Sequence, residues 1–152
     1  MSIFKAKKFT PVEEISIPDE WAVFQGEHQS KPLLARFRKT ALQLAGHPSF
    51  AHQVGIAVPL KHPDANGFPT AEESQDLNRI EDLISDKLQS QNESILVGVI
   101  STNGMREFVL YTTKPEHVKS KVETISKAVP THTLQLMIQP DKDWKVLKSF
   151  IK

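Results

Sequence analysis

The chain has 152 residues, of which 39% are hydrophobic and 24% charged, as in a soluble globular protein of one domain. Its formal net charge of +1 provides no strong overall field for nucleic acid or acidic lipid. The absence of cysteine excludes disulfides, thiolate metal sites and cysteine nucleophiles. Because residues 1–8 contain no apolar run and no stretch is long enough to span a bilayer, we expect a cytoplasmic protein that does not bind membranes.

The N-terminal part of the chain predicts an arm followed by a loose hairpin. Residues 1–19 carry two prolines among scattered apolar side chains, which is typical of an extended arm lying on a single domain formed by residues 20–152. Two short strands are expected at residues 20–26 and 33–38. The polar residues between them predict a long turn.

A strand and an amphipathic helix are expected next. Residues 50–60 alternate between bulky and small side chains, which predicts a strand with one bulky buried face. Thr70 and Glu73 have the spacing of a capping box, in which the hydroxyl and the carboxylate each satisfy a free backbone amide. Leucine and isoleucine then recur at helical spacing as far as about residue 90.

The segment 94–113 predicts a tight β-hairpin. Asn103-Gly104 lies between two runs of strand-forming residues and indicates a two-residue type I′ turn, because that turn needs a positive φ at both positions. With this turn, Val99 faces Phe108 and Val97 faces Leu110. The predicted apolar face of the hairpin consists of Ile95, Val97, Val99, Phe108 and Leu110.

The order of elements predicts the fold. A second helix begins at Pro115 and ends at Pro130, a strand follows at 131–139, and Asp141 caps a terminal helix. From residue 50 the order is strand, helix, strand, strand, helix, strand. We therefore predict an α+β fold with a ferredoxin-like split βαβ core over residues 50–139, an added N-terminal β-hairpin and a C-terminal helix. The expected order of core strands in the sheet is 131–139, 50–60, 105–113 and 94–102, with both core helices on one face.

The strand 94–102 would be an edge of this core, and it has no lysine, proline or central charge that would discourage pairing. We expect the N-terminal hairpin to pair with it, so that Arg36, Arg38 and Lys39 provide a charged new edge. Pairing of two chains at this edge is the alternative, so the chain is expected to be a monomer or a weak dimer.

The sheet face opposite the helices is rich in small residues, namely Gly55, Ala57 and Gly98. One interpretation is that Trp144 or Trp21 plugs this face. We favour Trp144 as an anchor, because the apolar stripe of the terminal helix must dock: Trp144, Leu147 and Ile151.

The other interpretation is a shallow ligand pocket on this open face. Its candidate ligand-binding residues are Glu107, Tyr111, Gln53 and Gln135. A carboxylate beside apolar neighbours would have a raised pKa, which suits acid–base chemistry.

Catalytic and metal-binding patterns are not found in the sequence. The six histidines lack metal-ligand spacing and no glycine-rich phosphate loop occurs, so we predict no catalytic residue, cofactor or metal site. Residues 106–111 superficially resemble an RNA-recognition motif, but Phe108 would point into the core and Glu107 is negative, so no nucleic acid partner is expected. The candidate partner surface is the acidic side of the first predicted helix: Glu72, Glu73, Asp76 and Glu81.

Several short motifs follow one another along residues 20–151. They are Trp21; Gly26 with Lys31-Pro32; Gly67-Phe-Pro-Thr70 with Glu73, Leu77 and Ile80-Glu-Asp82; Thr102-Asn-Gly104 with Arg106-Glu-Phe108 and Tyr111; and Asp141 with Asp143-Trp144. In this order they resemble a bacterial family known as domain of unknown function 695. Some members of that family are joined to a domain like the regulator of ribonuclease E activity B, a ferredoxin-like protein that inhibits a nuclease by binding it.

The resemblance implies no established activity. By analogy with the joined domain, it implies a regulatory role exerted on another protein, such as a nuclease or a toxin. We therefore expect a non-catalytic regulatory or protein-binding module. The alternative is a small-molecule-binding protein or weak enzyme that uses the open sheet face around Glu107 and Tyr111.

Overall fold

The computed structural model describes residues 9–150 and has a mixed α+β architecture, as predicted. The strands are β1 (Trp21–His28), β2 (Lys31–Arg38), β3 (His52–Pro59), β4 (Ser94–Thr102), β5 (Met105–Thr112) and β6 (Gln135–Pro140). The α-helices are α1 (Ala71–Leu88), α2 (Pro115–Ala128) and α3 (Lys145–Phe150), and short 3-10 turns occur at Val12–Glu14, Lys39–Leu44 and Ser90–Asn92. Within the described residues, no helix is both long enough and apolar enough to cross a membrane.

All six strands form one antiparallel sheet in the order β1-β2-β4-β5-β3-β6. The predicted order of the four core strands is confirmed, and so is the addition of the N-terminal hairpin beside β4. The hairpin therefore satisfies the backbone groups that would otherwise be left at the edge of β4.

The N-terminal hairpin is tighter than predicted. Its turn consists only of Gln29 and Ser30, which have φ values of 51° and 67°. The prediction of a long turn is wrong, because Gly26 and Pro32 are paired within the strands. The polar residues between the two apolar runs extend the strands and do not form a loop.

The predicted charged edge is also wrong. β2, which carries Arg36 and Arg38, is the inner strand of the hairpin and pairs with β4, whereas β1 forms the edge. The packing of Phe37 gives a physical reason, because its ring lies directly over Gly98 of β4, where a Cβ atom would come within 2.6 Å of the ring. The strand that carries this aromatic side chain must therefore be the neighbour of β4.

The turn of the central hairpin is as predicted. Asn103 and Gly104 have φ values of 50° and 76°, as a type I′ turn requires, and Val99 faces Phe108.

The first half of β4 is shifted by one residue from the predicted register. Leu96, not Val97, faces Leu110, because a bulge between Leu96 and Gly98 adds a residue to this strand. A shift of one residue exchanges the two faces of a strand. Ile95 and Val97 therefore lie on the face opposite the helices, so their assignment to the helix-side face is wrong.

Two apolar cores lie on the two faces of the sheet. The first lies between the sheet and the helices α1 and α2, and Trp21 packs at its margin. The second lies beneath α3, the turn Lys39–Leu44 and the arm before β1, and it contains Tyr111 and Trp144. The predicted plug of this face is thus confirmed for Trp144 and wrong for Trp21. Ile151 of the predicted stripe lies outside the described residues.

Candidate functional site

A cleft of ≈ 600 Å³ lies where the N-terminus of α1 meets the loop after β3 and the segment after α2. We call it the α1 cleft, and its lining residues are Lys61, His62, Thr70, Ala71, Glu72, Glu73, Asp76, Thr131 and His132. All of these positions except Ala71 carry side chains that can form hydrogen bonds. The cleft therefore offers several hydrogen-bonding groups to a ligand or to a partner.

A buried histidine–carboxylate pair joins two sides of this cleft. The distance between His132 Nε2 and Glu73 Oε2 is 2.6 Å, and the two side chains are only 2% and 4% exposed. Residues 130–132 form a bend that directs His132 to Glu73, which explains why β6 begins later than the strand predicted at 131–139. Fifty-nine residues separate the pair in the chain, so no local sequence pattern could indicate it.

The cap of α1 explains how Glu73 is positioned. Thr70 Oγ1 accepts a hydrogen bond from Glu73 N at 3.2 Å, which confirms the hydroxyl half of the predicted capping box. The carboxylate half is different, because Glu73 accepts hydrogen bonds from the backbone N–H groups of Lys61 at 2.6 Å and His62 at 2.9 Å. The carboxylate therefore holds the loop after β3 against the first turn of α1.

The protonation of this cluster follows from its hydrogen bonds. Burial acts to raise the pKa of Glu73, but the hydrogen bonds from His132, Lys61 N and His62 N outweigh it and hold the pKa below its ordinary value of 4.5. Because an ionised carboxylate only accepts, the shared hydrogen belongs to His132 Nε2. On the neutral ring Nδ1 is then an acceptor, and it lies 3.0 Å from Thr131 Oγ1.

The predicted partner surface is divided by the fold. Glu72 and Asp76 line the α1 cleft, and Glu73 is buried within it. Glu81 lies elsewhere on α1, where its carboxylate accepts a hydrogen bond from Arg36. Within residues 9–150 no three histidine, aspartate or glutamate side chains are arranged to hold a metal ion.

All four predicted ligand-binding residues lie on one sheet face, where Tyr111 of β5 pairs directly with Gln53 of β3. Ala57 pairs with Glu107 on one side and with Gln135 on the other, and Gln53 lies on the same face of β3. Tyr111 is fully buried under Trp144, so it does not line an open pocket.

The same sheet face contains, near Gly55, a buried amide that lacks one hydrogen-bond partner among residues 9–150. Gln53 is 1% exposed, and its Oε1 accepts a hydrogen bond from Gln139, but its Nε2 is buried without a partner. A Cβ atom placed on Gly55 would lie 3.5 Å from this Nε2 and 3.5 Å from Glu107 Oε1. We call this space the Gly55 corner. Burial raises the pKa of Glu107, in the direction predicted.

The N-terminal hairpin exposes an apolar patch that was not predicted from the sequence. Val23 is 68% exposed and Leu34 is 38% exposed. Together with Arg36 they occupy the side of the hairpin that faces α1, beside a depression that Ser101 and Arg106 also line. We call these five residues the β1 patch. The alternation along both predicted strands was a signal for it, because Val23, Leu34 and Arg36 lie within them, but the alternation does not show which face of the hairpin stays uncovered.

A comparison with protein families finds one model, described as a family of unknown function (DUF695), that matches residues 19–151. The match covers all six strands and all three helices, together with the α1 cleft, the Gly55 corner and the β1 patch. No curated protein matches the chain.

Proposed function

Because the chain belongs to the DUF695 family, whose function is unknown, we propose its role from its surfaces: it is a regulatory module that binds another protein through the β1 patch. The observation that carries this proposal is the pair of exposed apolar side chains, Val23 and Leu34, beside the edge of the sheet. Exposed apolar surface next to polar groups is typical of interaction sites. By the analogy drawn from the family, a nuclease or a toxin in the cytoplasm is the proposed class of partner.

The free edge of β1 favours a partner segment in extended conformation. β1 is the terminal strand of the sheet, so its outward backbone groups have no strand beside them within the described residues. Its sequence contains neither lysine nor proline, which commonly protect such edges. A partner strand could therefore pair with β1 and place an apolar side chain over Val23.

The charges beside the patch favour an acidic segment. Glu81 accepts a hydrogen bond from Arg36 and also attracts Arg106, whose Nε donates to Ser101 Oγ at 3.1 Å, so two cations share one carboxylate. Burial lowers the pKa of Arg106; Glu81 opposes this effect and Arg36 adds to it. A carboxylate supplied by the partner would compensate the second guanidinium group.

Val23→Glu tests this proposal. We expect the variant to lose its partner in affinity capture from cell extract, because a carboxylate at this position opposes both apolar contact and an acidic segment. Its free energy of unfolding should change by no more than about 0.5 kcal/mol, because the side chain is exposed. The matched control is the double variant Glu72→Gln/Asp76→Asn, which alters the predicted acidic surface and should keep the partner.

If the control loses the partner and Val23→Glu retains it, the acidic side of α1 is the partner surface and the β1 patch is not. Failure to recover any partner of the parent chain, even after crosslinking, would contradict a protein-binding role.

A second candidate function is small-molecule binding at the Gly55 corner, and the unpaired Nε2 of Gln53 favours it. A buried amide donor without an acceptor is costly, and a ligand oxygen placed at this corner would satisfy it. Glu107, whose pKa is raised by burial, lies on the other side of the corner. The chemistry fits a ligand with a carbonyl or carboxyl group.

Glu107→Gln and Gly55→Ala test the second candidate. Glu107→Gln should melt at an equal or higher temperature, because the native state already disfavours the ionised form of Glu107. Gly55→Ala fills the corner and moves only the flexible end of Met137, whose Cε lies 3.1 Å from the new Cβ. In a thermal-shift screen with carboxylic acids and amides, a ligand that stabilises the parent should stabilise neither variant. A stabilising shift that persists in both variants would place the ligand elsewhere.

A further inference from the structure

We propose that Thr131, His132 and Glu73 form a hydrogen-bonded relay that makes Thr131 Oγ1 a nucleophile, and that the α1 cleft hydrolyses small esters by acyl transfer. This activity is independent of the β1 patch and therefore of the proposed binding role. No local motif in the sequence indicates it, because Glu73 is distant in the chain from the other two residues.

The distances meet the requirements of nucleophilic catalysis. The hydroxyl oxygen of Thr131 lies 3.0 Å from Nδ1 of His132, and Nε2 of the same ring lies 2.6 Å from the carboxylate of Glu73. A nucleophile bonded to a base, which is in turn oriented by a third group, is the arrangement by which serine and threonine hydroxyls are activated. Because Nε2 holds the hydrogen, the lone pair of Nδ1 is directed at the hydroxyl of Thr131.

The relay is held in place before any substrate arrives. Glu73 is fixed by the backbone N–H groups of Lys61 and His62, and His132 is almost completely buried against it. Thr131, by contrast, is exposed and lines the cleft. The base is thus shielded from water, whereas the hydroxyl oxygen can be reached by a substrate.

The first turn of α1 provides donors for the charge that develops on the substrate. Ala71 and Glu72 line the same cleft, and backbone N–H groups in the first turn of an α-helix have no partner within the helix. In contrast, Glu73 N and Ser74 N both donate to Thr70. Ala71 N and Glu72 N have no hydrogen-bond partner among the described residues, and with the positive end of the helix dipole they suit the oxyanion of a tetrahedral intermediate.

The reaction consumes only the ester and water. Thr131 Oγ1 bonds to the acyl carbon as its proton passes to His132 Nδ1, and the intermediate collapses by breaking the bond to the leaving oxygen, which takes that proton. Water then attacks the acyl-threonine, giving a proton to Nδ1 that returns to Oγ1 as the acid leaves. Glu73 acts as a positioning residue, because it touches no reacting atom and stabilises the imidazolium that forms twice in the cycle.

The rim of the cleft selects the class of ester. Glu72 and Asp76 together carry two negative charges against the one positive charge of Lys61. Anionic esters are therefore disfavoured. The volume of ≈ 600 Å³ accommodates a small neutral or cationic ester.

Hydrolysis of p-nitrophenyl acetate by the full chain tests the relay. Thr131→Val keeps the shape of the side chain and removes the hydroxyl, and we expect it to lower the enzyme-dependent rate by about 100-fold or more. Thr131→Ser should retain the activity, and Lys119→Gln, an exposed change on α2 outside the cleft and the β1 patch, should be as active as the parent. Mass spectrometry of the parent under rapid quench should locate the acetyl group on the peptide that contains Thr131.

Because Thr131 is exposed, both variants at this position should melt within a few degrees of the parent. A loss of activity can then not be mistaken for a loss of folding. If the Thr131→Val variant hydrolyses the ester as fast as the parent, the proposal is overturned. A parent rate no higher than that of an equal concentration of free imidazole would overturn it as well.

Discussion

Replacing Trp144 with alanine is expected to lower the free energy of unfolding by about 3–5 kcal/mol, because it leaves a large cavity in the second core. The indole is completely buried and stacks on Tyr111 with ring centroids 4.0 Å apart. Its Nε1 donates to the backbone oxygen of Phe50 at 2.9 Å. Trp144 also has a φ of 57°, which is unusual for a large side chain and shows that its packing outweighs the cost of the left-handed backbone.

The loss should appear as a fall in melting temperature of roughly 10 °C, since each kcal/mol corresponds to about 2–4 °C in a domain of this size. Trp144→Phe is the matched control: it keeps an aromatic ring over Tyr111 but loses the hydrogen bond to Phe50, so it should fall between the parent and the alanine variant. A Trp144→Ala protein as stable as the parent would contradict the structural role and would instead point to an interface.

The second large effect is expected at the buried pair. Glu73→Gln should lower the free energy of unfolding by about 3–5 kcal/mol, because three donors lose a buried, charged hydrogen-bond acceptor. The carboxylate accepts three hydrogen bonds, from His132 Nε2, Lys61 N and His62 N, and the amide can accept them only weakly and presents a competing donor. Glu72→Gln is the matched control in the same turn of α1 and should cost less than about 1 kcal/mol.

The pH dependence gives an independent check on Glu73. Its pKa in the folded protein lies below the ordinary value of 4.5, so the native state binds fewer protons than the unfolded state in this range. The stabilisation is fully present above pH 4.5 and is lost as the pH falls through the lowered pKa. Urea unfolding of the parent and of Glu73→Gln should therefore show a difference that shrinks in acid; a difference that does not depend on pH would mean that the charge of Glu73 is not its source.

Local chemistry was sufficient to predict most elements of this fold from the sequence. The turn at Asn103 and Gly104 needs two positive φ values, and the observed values meet that need. Thr70 caps α1, and Asp141 accepts hydrogen bonds from Lys145 N and Val146 N at the start of α3. The order of core strands could be predicted from the order of elements along the chain. Connections between neighbouring elements are short, and crossover connections are right-handed.

The functional surfaces depended on contacts between segments that are distant in the chain. The bulge at Val97 and the choice of β1 as the edge arise from packing across the sheet, with Phe37 lying over Gly98. The sequence predicts that Glu73 belongs to a helix cap, because its capping partner Thr70 lies only three residues away. His132 contacts the carboxylate of Glu73 although it lies 59 positions further along the chain, so only the tertiary fold brings the two together.

The sequence by itself thus determined which segments are strands and helices and the order of strands in the core, because turn, cap and periodicity depend on neighbouring residues. The tertiary structure alone decided which carboxylate is buried against a histidine, which amide lacks a partner and which apolar side chains remain exposed. Each of these depends on what lies across a sheet or a cleft. A side chain's burial and hydrogen bonds are properties of its three-dimensional surroundings and not of its neighbours in the chain.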